Sequence, residues 1–226
     1  MARNRLATRA LAAARRVDRL RGRARIFLFR QRVRAVAAWH GGHVSLDLSQ
    51  SAKIGRAIII DVWNGTSSHL SIGDRTNLGD GVRLSFRGGS LEIGPDTDIR
   101  RFGNYHVGGA IRVGSGCVLS TGIHVHCADR IDVGDLTIIG EYSTIADSQH
   151  VRTAPDEPVH HSVATGPVVI GRNIWMGAHI VIASGVTVGD LAFVAAGAVV
   201  TKDVASGWLV GGVPAKPVRQ VARNEP

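Results

Sequence analysis

Aliphatic residues return along this chain at a spacing of six from Ile54 to about Val200, each usually followed by glycine, two variable positions and a small or aliphatic residue. Well-formed copies begin at Ile72, Ile93, Val113, Val133, Ile170 and Val188. A short period of this kind, sustained over many copies, predicts a solenoid in which one small unit stacks on the next.

The spacing of the best copies defines the size of that unit. The positions that recur every three hexapeptides, apart from a few loop residues, are Ile54, Ile72, Ile93, Val113, Val133, Ile170 and Val188. Three short segments per turn cannot bury their apolar faces alone, so we expect triangular coils that pair as parallel strands about 4.8 Å apart. The period predicts an all-β parallel β-helix, although it does not fix the hand of the helix.

One segment breaks the period. Residues 151–165, which include Pro155, Pro158, His160 and His161, fit no hexapeptide. An insertion that contains proline must leave the stack as a loop, and loops of this kind commonly form binding faces. The sequence therefore predicts three parts: a helical arm over 1–42, the β-helix with its protruding loop over 43–205, and a C-terminal extension over 206–226.

Composition agrees with one soluble domain. Cys117 and Cys127 are too few for a disulfide framework, and Cys117 occupies a small-residue position, so we expect a buried, reduced thiol in a cytoplasmic protein. No apolar run reaches the length of a membrane span, and no signal-peptide pattern is present.

The net charge of +9 is concentrated at the N-terminus. Residues 1–40 carry twelve arginines and one acid, Asp18, whereas the remaining fifteen basic and seventeen acidic residues nearly cancel. An apolar stripe with helical spacing runs through this arm, and its members are Leu6, Ala10, Ala13, Val17, Leu20, Ala24 and Phe27. The pattern predicts a basic amphipathic helix.

Such an arm has several uses. It could cap the end of the solenoid, or lie on an anionic membrane surface with its arginines at the lipid headgroups. Nucleic acid is the least favoured partner, because the arm lacks interleaved aromatic residues and the remainder of the chain is slightly acidic. An arginine-rich, acid-poor start is also typical of an organellar transit peptide.

The chain resembles the hexapeptide-repeat acyltransferases, a family with a left-handed parallel β-helix. The likeness extends from about Ile54 to Arg219 and is strongest over 166–216. The motifs that carry it are Gly166-Pro-Val-Val-Ile-Gly, Asn173-Ile-Trp-Met-Gly-Ala, Gly197-Ala-Val-Val-Thr-Lys-Asp-Val and Gly212-Val-Pro-Ala-Lys-Pro-Val-Arg219. The resemblance implies an acetyl-CoA-dependent transferase that acts on a sugar or glycan hydroxyl, closest in outline to acetyltransferases of polysaccharide biosynthesis.

The resemblance also implies catalytic roles. The family's catalytic histidine stands before the protruding loop, which here is His150. An imidazole can remove a proton from a hydroxyl near neutral pH as the oxygen attacks a thioester. The backbone N–H of Ala178 would stabilise the oxyanion. Asp147 is a candidate to orient His150 or to bind the acceptor.

Acetyl-CoA would be held by residues from the last coils and the C-terminal extension. The positions implied by the family are Trp175, Gly177, Ala196, Thr201, Lys216 and Arg219. Lys216 and Arg219 would face the phosphates of coenzyme A, although Pro217 between them departs from the usual pattern. The resemblance further implies a homotrimer with the active site between neighbouring solenoids. The reduced cysteines indicate a cytoplasmic protein, and the basic arm over residues 1–40 offers a peripheral contact with the inner membrane face.

Two alternatives stay open at this stage. Proteins similar to γ-class carbonic anhydrases bind zinc through three histidines, and this chain has His106, His124, His126 and His150. His106 and His126 are one coil apart and could stack, but the family's His-x-x-x-x-His pair is absent. We therefore assign no metal site. The other alternative is a non-catalytic scaffold in which His150 is dispensable.

Overall fold

The computed structural model describes residues 2–156 and 158–221, with side chains from residue 20 onward within those ranges. The elements are α1 (Ala2–Trp39), β1 (His43–Leu48), β2 (Lys53–Ile54), β3 (Ile59–Val62), β4 (Ser67–Ile72), β5 (Asn77–Leu78), β6 (Arg83–Phe86), β7 (Ser90–Ile93), β8 (Asp98–Ile99), β9 (Asn104–Val107), β10 (Ala110–Val113), β11 (Val118–Leu119), β12 (His124–Cys127), β13 (Arg130–Val133), β14 (Ile138–Ile139), β15 (Thr144–Ala146), β16 (Ser148–Val151), β17 (Ser162–Thr165), β18 (Val168–Ile170), β19 (Trp175–Met176), β20 (Val181–Ile182), β21 (Thr187–Val188), β22 (Phe193–Val194), β23 (Val199–Val200), β24 (Trp208–Gly211) and β25 (Lys216–Gln220).

Three parallel sheets form the walls of the solenoid. Sheet A stacks β1, β4, β7, β10, β13, β18 and β21, and sheet C stacks β3, β6, β9, β12, β15, β20 and β23. Sheet B stacks β2, β5, β8, β11, β14, β19, β22 and β24, with β25 added antiparallel at its end. Each turn of the chain passes through A, B and C in order, which confirms the predicted parallel β-solenoid with one N-terminal helix.

The register of the sheets corrects one member of the predicted series. Ile72, Ile93, Val113, Val133, Ile170 and Val188 stack on one another in sheet A. Ile54 instead pairs with Leu78 in sheet B, and the residue beneath Ile72 is Leu48. The step from Ile54 to Ile72 equals three hexapeptides but not one coil, because the first coil is lengthened by the turn between β3 and β4.

The small-residue position of the hexapeptide forms a buried ladder. The hydroxyls of Thr76 and Thr97 donate to the carbonyls of Gly94 and Gly114 in the next coil, at 2.7 and 2.8 Å. Cys117 continues the column, fully buried, and its thiol contacts the Gly134 carbonyl. The expectation of a buried free thiol is therefore confirmed, and burial raises its pKa, which keeps it protonated.

The helix α1 covers the open end of the first coil with its C-terminal third. Ile26, Phe29, Val33 and Ala37 are buried against the solenoid. This face differs from the predicted stripe: Leu20 and Phe27 are each 58% exposed. Ala24 is exposed as well, and the other stripe residues, Leu6, Ala10, Ala13 and Val17, lie outside the residues whose side chains are described. Within the described part, no helix combines the length and apolar character needed to cross a membrane.

Phe29 and Phe27 make a matched pair for testing the cap. Phe29→Ala should lower the free energy of unfolding by about 3 kcal/mol, because it removes a buried aromatic side chain and leaves a cavity. Phe27→Ala should change it by less than about 0.5 kcal/mol, because that ring faces solvent. Urea denaturation followed by circular dichroism measures both, and equal losses would contradict the observed orientation of α1.

Candidate active site

A β-hairpin interrupts the solenoid between β15 and β18. Its strands β16 and β17 are antiparallel, with Ser148 opposite Thr165 and His150 opposite Val163. The break in the period therefore forms the predicted protrusion, but the chain leaves the coil at Ser148, before the predicted start at Val151. Strand pairing extends the break because the chain must leave and return at one corner of the coil.

Asp147 closes the base of this hairpin. Its side chain is fully buried, and its two carboxylate oxygens accept hydrogen bonds from the backbone N–H groups of Ala128 and Asp129, at 2.8 and 2.7 Å. Its own carbonyl accepts from the Gly166 N–H at 2.8 Å and from the Ser184 hydroxyl at 2.9 Å. Asp147 thus joins the hairpin to the coils on either side of it, which is a structural position.

His150 lies two residues further out. Its side chain is exposed on β16, and among the described residues its ring makes no hydrogen bond. An imidazole in this position is accessible to a substrate that approaches the hairpin.

Three more histidines form a cluster on the outer surface of sheet C. His106 and His126 are register partners, which confirms that they stack in adjacent coils. The ring centroid of His106 is 5.3 Å from those of both His124 and His126. Partial burial lowers the pKa of His106, and repulsion from His124 and His126 lowers it further, so the neutral form of His106 is favoured. Among the described residues, no three His, Cys, Asp or Glu side chains form a metal site.

The residues implied in oxyanion and cofactor binding occupy a different part of the coil. Ala178 and Ala196 lie at the corner between sheets B and C, in the turns after β19 and β22. The backbone N–H of Ala178 has no acceptor within the described ranges, so it can donate to an oxyanion. Gly177 supports this corner, because a Cβ there would lie 2.5 Å from the Ala196 nitrogen.

Two clefts contain the other implied cofactor residues. Trp175, 45% exposed, packs against Phe193 at 6.0 Å between ring centroids in a cleft of about 360 Å³ on sheet B. Thr201 and Lys216 line a second cleft of about 420 Å³ at the C-terminal end of the solenoid. Arg219 lies on β25, opposite Leu209. The structure therefore brings Thr201 and Lys216 together and places Trp175 in a separate cleft.

The hairpin and the Ala178 turn lie at opposite edges of sheet C. The hairpin leaves from the corner between sheets C and A, whereas Ala178 is at the corner between B and C. Four residue steps along the strand separate these corners, which is about 13 Å at 3.3 Å per residue. Within one chain, His150 and Ala178 therefore belong to different corners of the coils.

The sequence interpretation missed a contact between the histidine cluster and the hairpin. His126 Nδ1 is 3.2 Å from the Ser148 hydroxyl, at the point where the hairpin leaves the coil. It also missed Trp63, Arg83 and Arg87, which lie on or next to the same sheet. Inward and outward side chains alternate along β6, β9 and β12, so the sequence shows which residues face outward. Which of these outward residues are neighbours is known only once the register of the coils is known.

Comparison with known proteins supports the fold and the repeat. A family model described as the hexapeptide repeat of succinyl-transferase matches residues 167–202, the coils that follow the hairpin. Residues 167–202 therefore contain hexapeptide repeats of the kind that this model describes. The polysialic acid O-acetyltransferase OatWY has a similar structure, with a TM-score of 0.59 and 17% identity over 80% of this chain and 88% of that one. At this identity the likeness concerns the fold alone.

Two relatives are more similar in sequence over parts of the chain. Galactoside O-acetyltransferase of Escherichia coli (strain K12) is 36% identical over 100 residues, which covers 38% of this chain and 49% of the relative. The bifunctional protein GlmU of Stenotrophomonas maltophilia (strain R551-3) is 27% identical over 202 residues, covering 80% of this chain and 43% of the relative. The chain thus spans less than half the length of each.

Substitutions of Asp147 and His150 should differ in their effect on the free energy of unfolding. Asp147→Ala removes the acceptor of the Ala128 and Asp129 N–H groups and leaves a cavity in place of a buried side chain, so we expect it to lower the free energy of unfolding by about 2 kcal/mol. His150→Ala, at an exposed position, should change it by less than about 0.5 kcal/mol. Urea unfolding monitored by tryptophan fluorescence provides the measurement. An unchanged midpoint for Asp147→Ala would show that its hydrogen bonds do not support the fold.

Proposed function

We propose that this protein transfers an acetyl group from acetyl-CoA to a hydroxyl group of a sugar or glycan. The observation that carries the proposal is the hairpin: the regular coils are interrupted where an exposed histidine is presented, directly before the segment that matches the hexapeptide-repeat model. The similarity to galactoside O-acetyltransferase supports the same reaction class.

His150 serves as the general base in the proposed reaction. It removes the proton of the acceptor hydroxyl while the oxygen attacks the thioester carbonyl, forming a tetrahedral oxyanion. The N–H of Ala178 donates to that oxyanion. Collapse breaks the carbon–sulfur bond, and the leaving thiolate takes the proton from the imidazolium, so His150 is neutral again at the end of the cycle.

The coils after the hairpin would hold acetyl-CoA. Gly177 lets the Ala178 and Ala196 turns stack closely, and the small, exposed side chain of Ala196 leaves the outer surface of this corner open to the acetyl end. Trp175 offers an exposed aromatic surface to the cofactor arm. Thr201 and the basic side chains Lys216 and Arg219 lie at the C-terminal end, where the adenine and phosphate portions would bind.

The separation of His150 from Ala178 supports a homotrimer. In this arrangement the hairpin of one copy reaches the B–C corner of the next, so each active site combines His150 from one chain with Ala178 from its neighbour. A closed ring of three repeats the same contact at every interface. The site is incomplete without the second copy.

Substitution of His150 tests the chemistry. His150→Ala should reduce acetyl transfer to a panel of sugars and nucleotide sugars by at least about a hundredfold, the usual contribution of a general base. His69→Ala, on sheet A, is the matched control and should retain activity. Thiol release from acetyl-CoA gives the rate. Transfer that survives His150→Ala would remove the base from the mechanism, and stoichiometric bound zinc without transfer would favour the carbonic-anhydrase-like alternative.

Assemblies that contain two different variants of the chain test whether each active site is formed by two neighbouring copies. His150→Ala and Ala196→Trp should each be inactive alone, because one lacks the base and the other blocks the cofactor corner. Co-expressed, they should regain part of the activity, since a mixed trimer contains some sites with both functional halves. Light scattering establishes the assembly size. Restoration that fails in a confirmed mixed trimer would show that each site lies within one chain.

The exposed side of α1 supports a peripheral membrane location. Opposite the buried face, Leu20, Phe27, Leu28 and Trp39 are 58–87% exposed. Arginines flank them at 21, 23, 25, 32 and 34, all exposed. An apolar strip between rows of arginine fits the interface of an anionic bilayer, where apolar side chains insert and guanidinium groups contact headgroups. The cytoplasmic face of a membrane is therefore the location that we propose.

Vesicle binding tests this location. The protein should co-sediment with vesicles that contain phosphatidylglycerol and remain in solution with phosphatidylcholine alone, and salt should weaken the binding. The double substitution Phe27→Glu and Leu28→Glu should abolish co-sedimentation without affecting the cap, because both side chains face solvent. If the substitution instead changes the oligomeric state and leaves lipid binding intact, the strip contacts a second copy of the chain.

A further inference from the structure

A basic strip runs along the outer surface of sheet C, on the N-terminal side of the hairpin. We define it by Trp63, Arg83, Arg87, His106, His124 and His126. These residues come from four consecutive coils, and no motif of the sequence singles out the first three of them.

The strand register aligns the strip. Arg83, Asn104 and His124 form one outward column, each paired with the next across adjacent strands. Ser85, His106 and His126 form the neighbouring column. Trp63 and Arg87 directly follow β3 and β6, so they extend the strip at the edge of the sheet. Because side chains alternate between the two faces of a strand, both columns point away from the core.

Cationic and aromatic groups are held against one another along this strip. The guanidinium carbon of Arg87 lies 4.2 Å from the centroid of the exposed Trp63 ring. Arg83 reaches Asp61 at 3.4 Å, and Asp61 also accepts from the Ser85 hydroxyl at 3.1 Å. These contacts restrict the long side chains before any ligand arrives, which lowers the entropy lost on binding.

Positive charge exceeds negative charge on this surface. Two arginines and three imidazoles share it with the carboxylate of Asp61, which is already engaged by Ser85 and Arg83. The two arginines are close enough to His106 to contribute to lowering its pKa. Because the neutral form of His106 is favoured, the excess positive charge comes from the two arginines, and an anionic ligand would complement it. Guanidinium groups also match the geometry of carboxylates in a way that ammonium groups do not.

The strip leads to the hairpin. Three coil spacings separate the Trp63 end from the His126 end, about 14 Å at 4.8 Å per spacing. At the upper end, His126 contacts Ser148, which is two residues before His150. A chain bound along the strip therefore reaches the hairpin at one end.

We infer that this strip binds an acidic carbohydrate chain and guides it to the hairpin as the acceptor. The arginines pair with carboxylates of the chain, the exposed Trp63 ring stacks on a sugar face, and the imidazoles bond to hydroxyls. The role of this ligand as the acceptor rests on the proposed acetyl transfer. The binding of an acidic chain to the strip is independent of that proposal.

Direct binding is measured first, without acetyl-CoA. An oligosaccharide of uronic acid residues and its carboxyl-reduced counterpart differ only in charge, so they isolate the role of the carboxylates. Isothermal titration with the native protein should show at least tenfold tighter binding of the acidic form, with affinity that falls as salt is added. Arg83→Ala and Arg87→Ala should each remove most of this preference.

Arg112→Ala is the matched control. Arg112 is an exposed arginine with carboxylate neighbours, like Arg83, but it lies on sheet A. It should leave the affinity for both oligosaccharides unchanged. Circular dichroism of each variant shows whether the solenoid is intact, and the exposed positions of Arg83 and Arg87 make loss of the fold unexpected.

Acetyl transfer is then measured on the same variants. In the expected result, the strip substitutions raise KM for the acidic acceptor and leave kcat nearly constant, whereas a small neutral acceptor is unaffected. Equal affinity for the acidic and reduced oligosaccharides, or an effect of Arg112→Ala equal to that of Arg87→Ala, would overturn the strip as a binding site. Charge-dependent binding without any transfer would support the strip and contradict the proposed function.

Discussion

The structure depends on the close stacking of backbone on backbone at the corners of the coils. A Cβ on Gly140 would lie 2.5 Å from the Ala178 nitrogen, and one on Gly177 would lie equally close to the Ala196 nitrogen. Glycine at these positions lets successive coils approach until their N–H and C=O groups pair, as Gly140 does with Met176 at 2.9 Å. The hexapeptide period reflects this constraint where glycine returns, as it does after sheet A at Gly73, Gly94, Gly114 and Gly134.

Because the coils are fixed in this way, an insertion can leave only at a corner and must return to the same place. Asp147 and Gly166 mark the two ends of the hairpin and are joined by a backbone hydrogen bond of 2.8 Å. The buried carboxylate of Asp147 ties the same point to the coil below. A rigid wall therefore supports an exposed hairpin whose base cannot shift, which is the usual requirement for a functional loop on a scaffold.

Structural features that repeat along the chain could be predicted from the sequence, whereas features that depend on the register between strands could not. Period alone predicted the parallel solenoid, the buried Cys117 and the protrusion near His150. It misplaced Ile54, because a step of three hexapeptides is one coil only where no extra turn residues intervene. For the same reason the strip around His106 and Arg83 was not predicted: its members are far apart in sequence, and only the strand pairing aligns them.

The arm and the site show why composition alone does not assign a role to a surface. Residues with equal hydrophobicity, Phe27 and Phe29, lie on opposite sides of α1, so one helix covers the solenoid end and still presents a second apolar face flanked by arginine. Likewise, His150 and Ala178 are chemically suited to one reaction but lie at different corners of a coil. Under the proposed mechanism and the proposed trimer, catalysis would arise from assembly. The stacking that fixes these two corners within one chain would also hold each half of the site in place for a neighbouring copy.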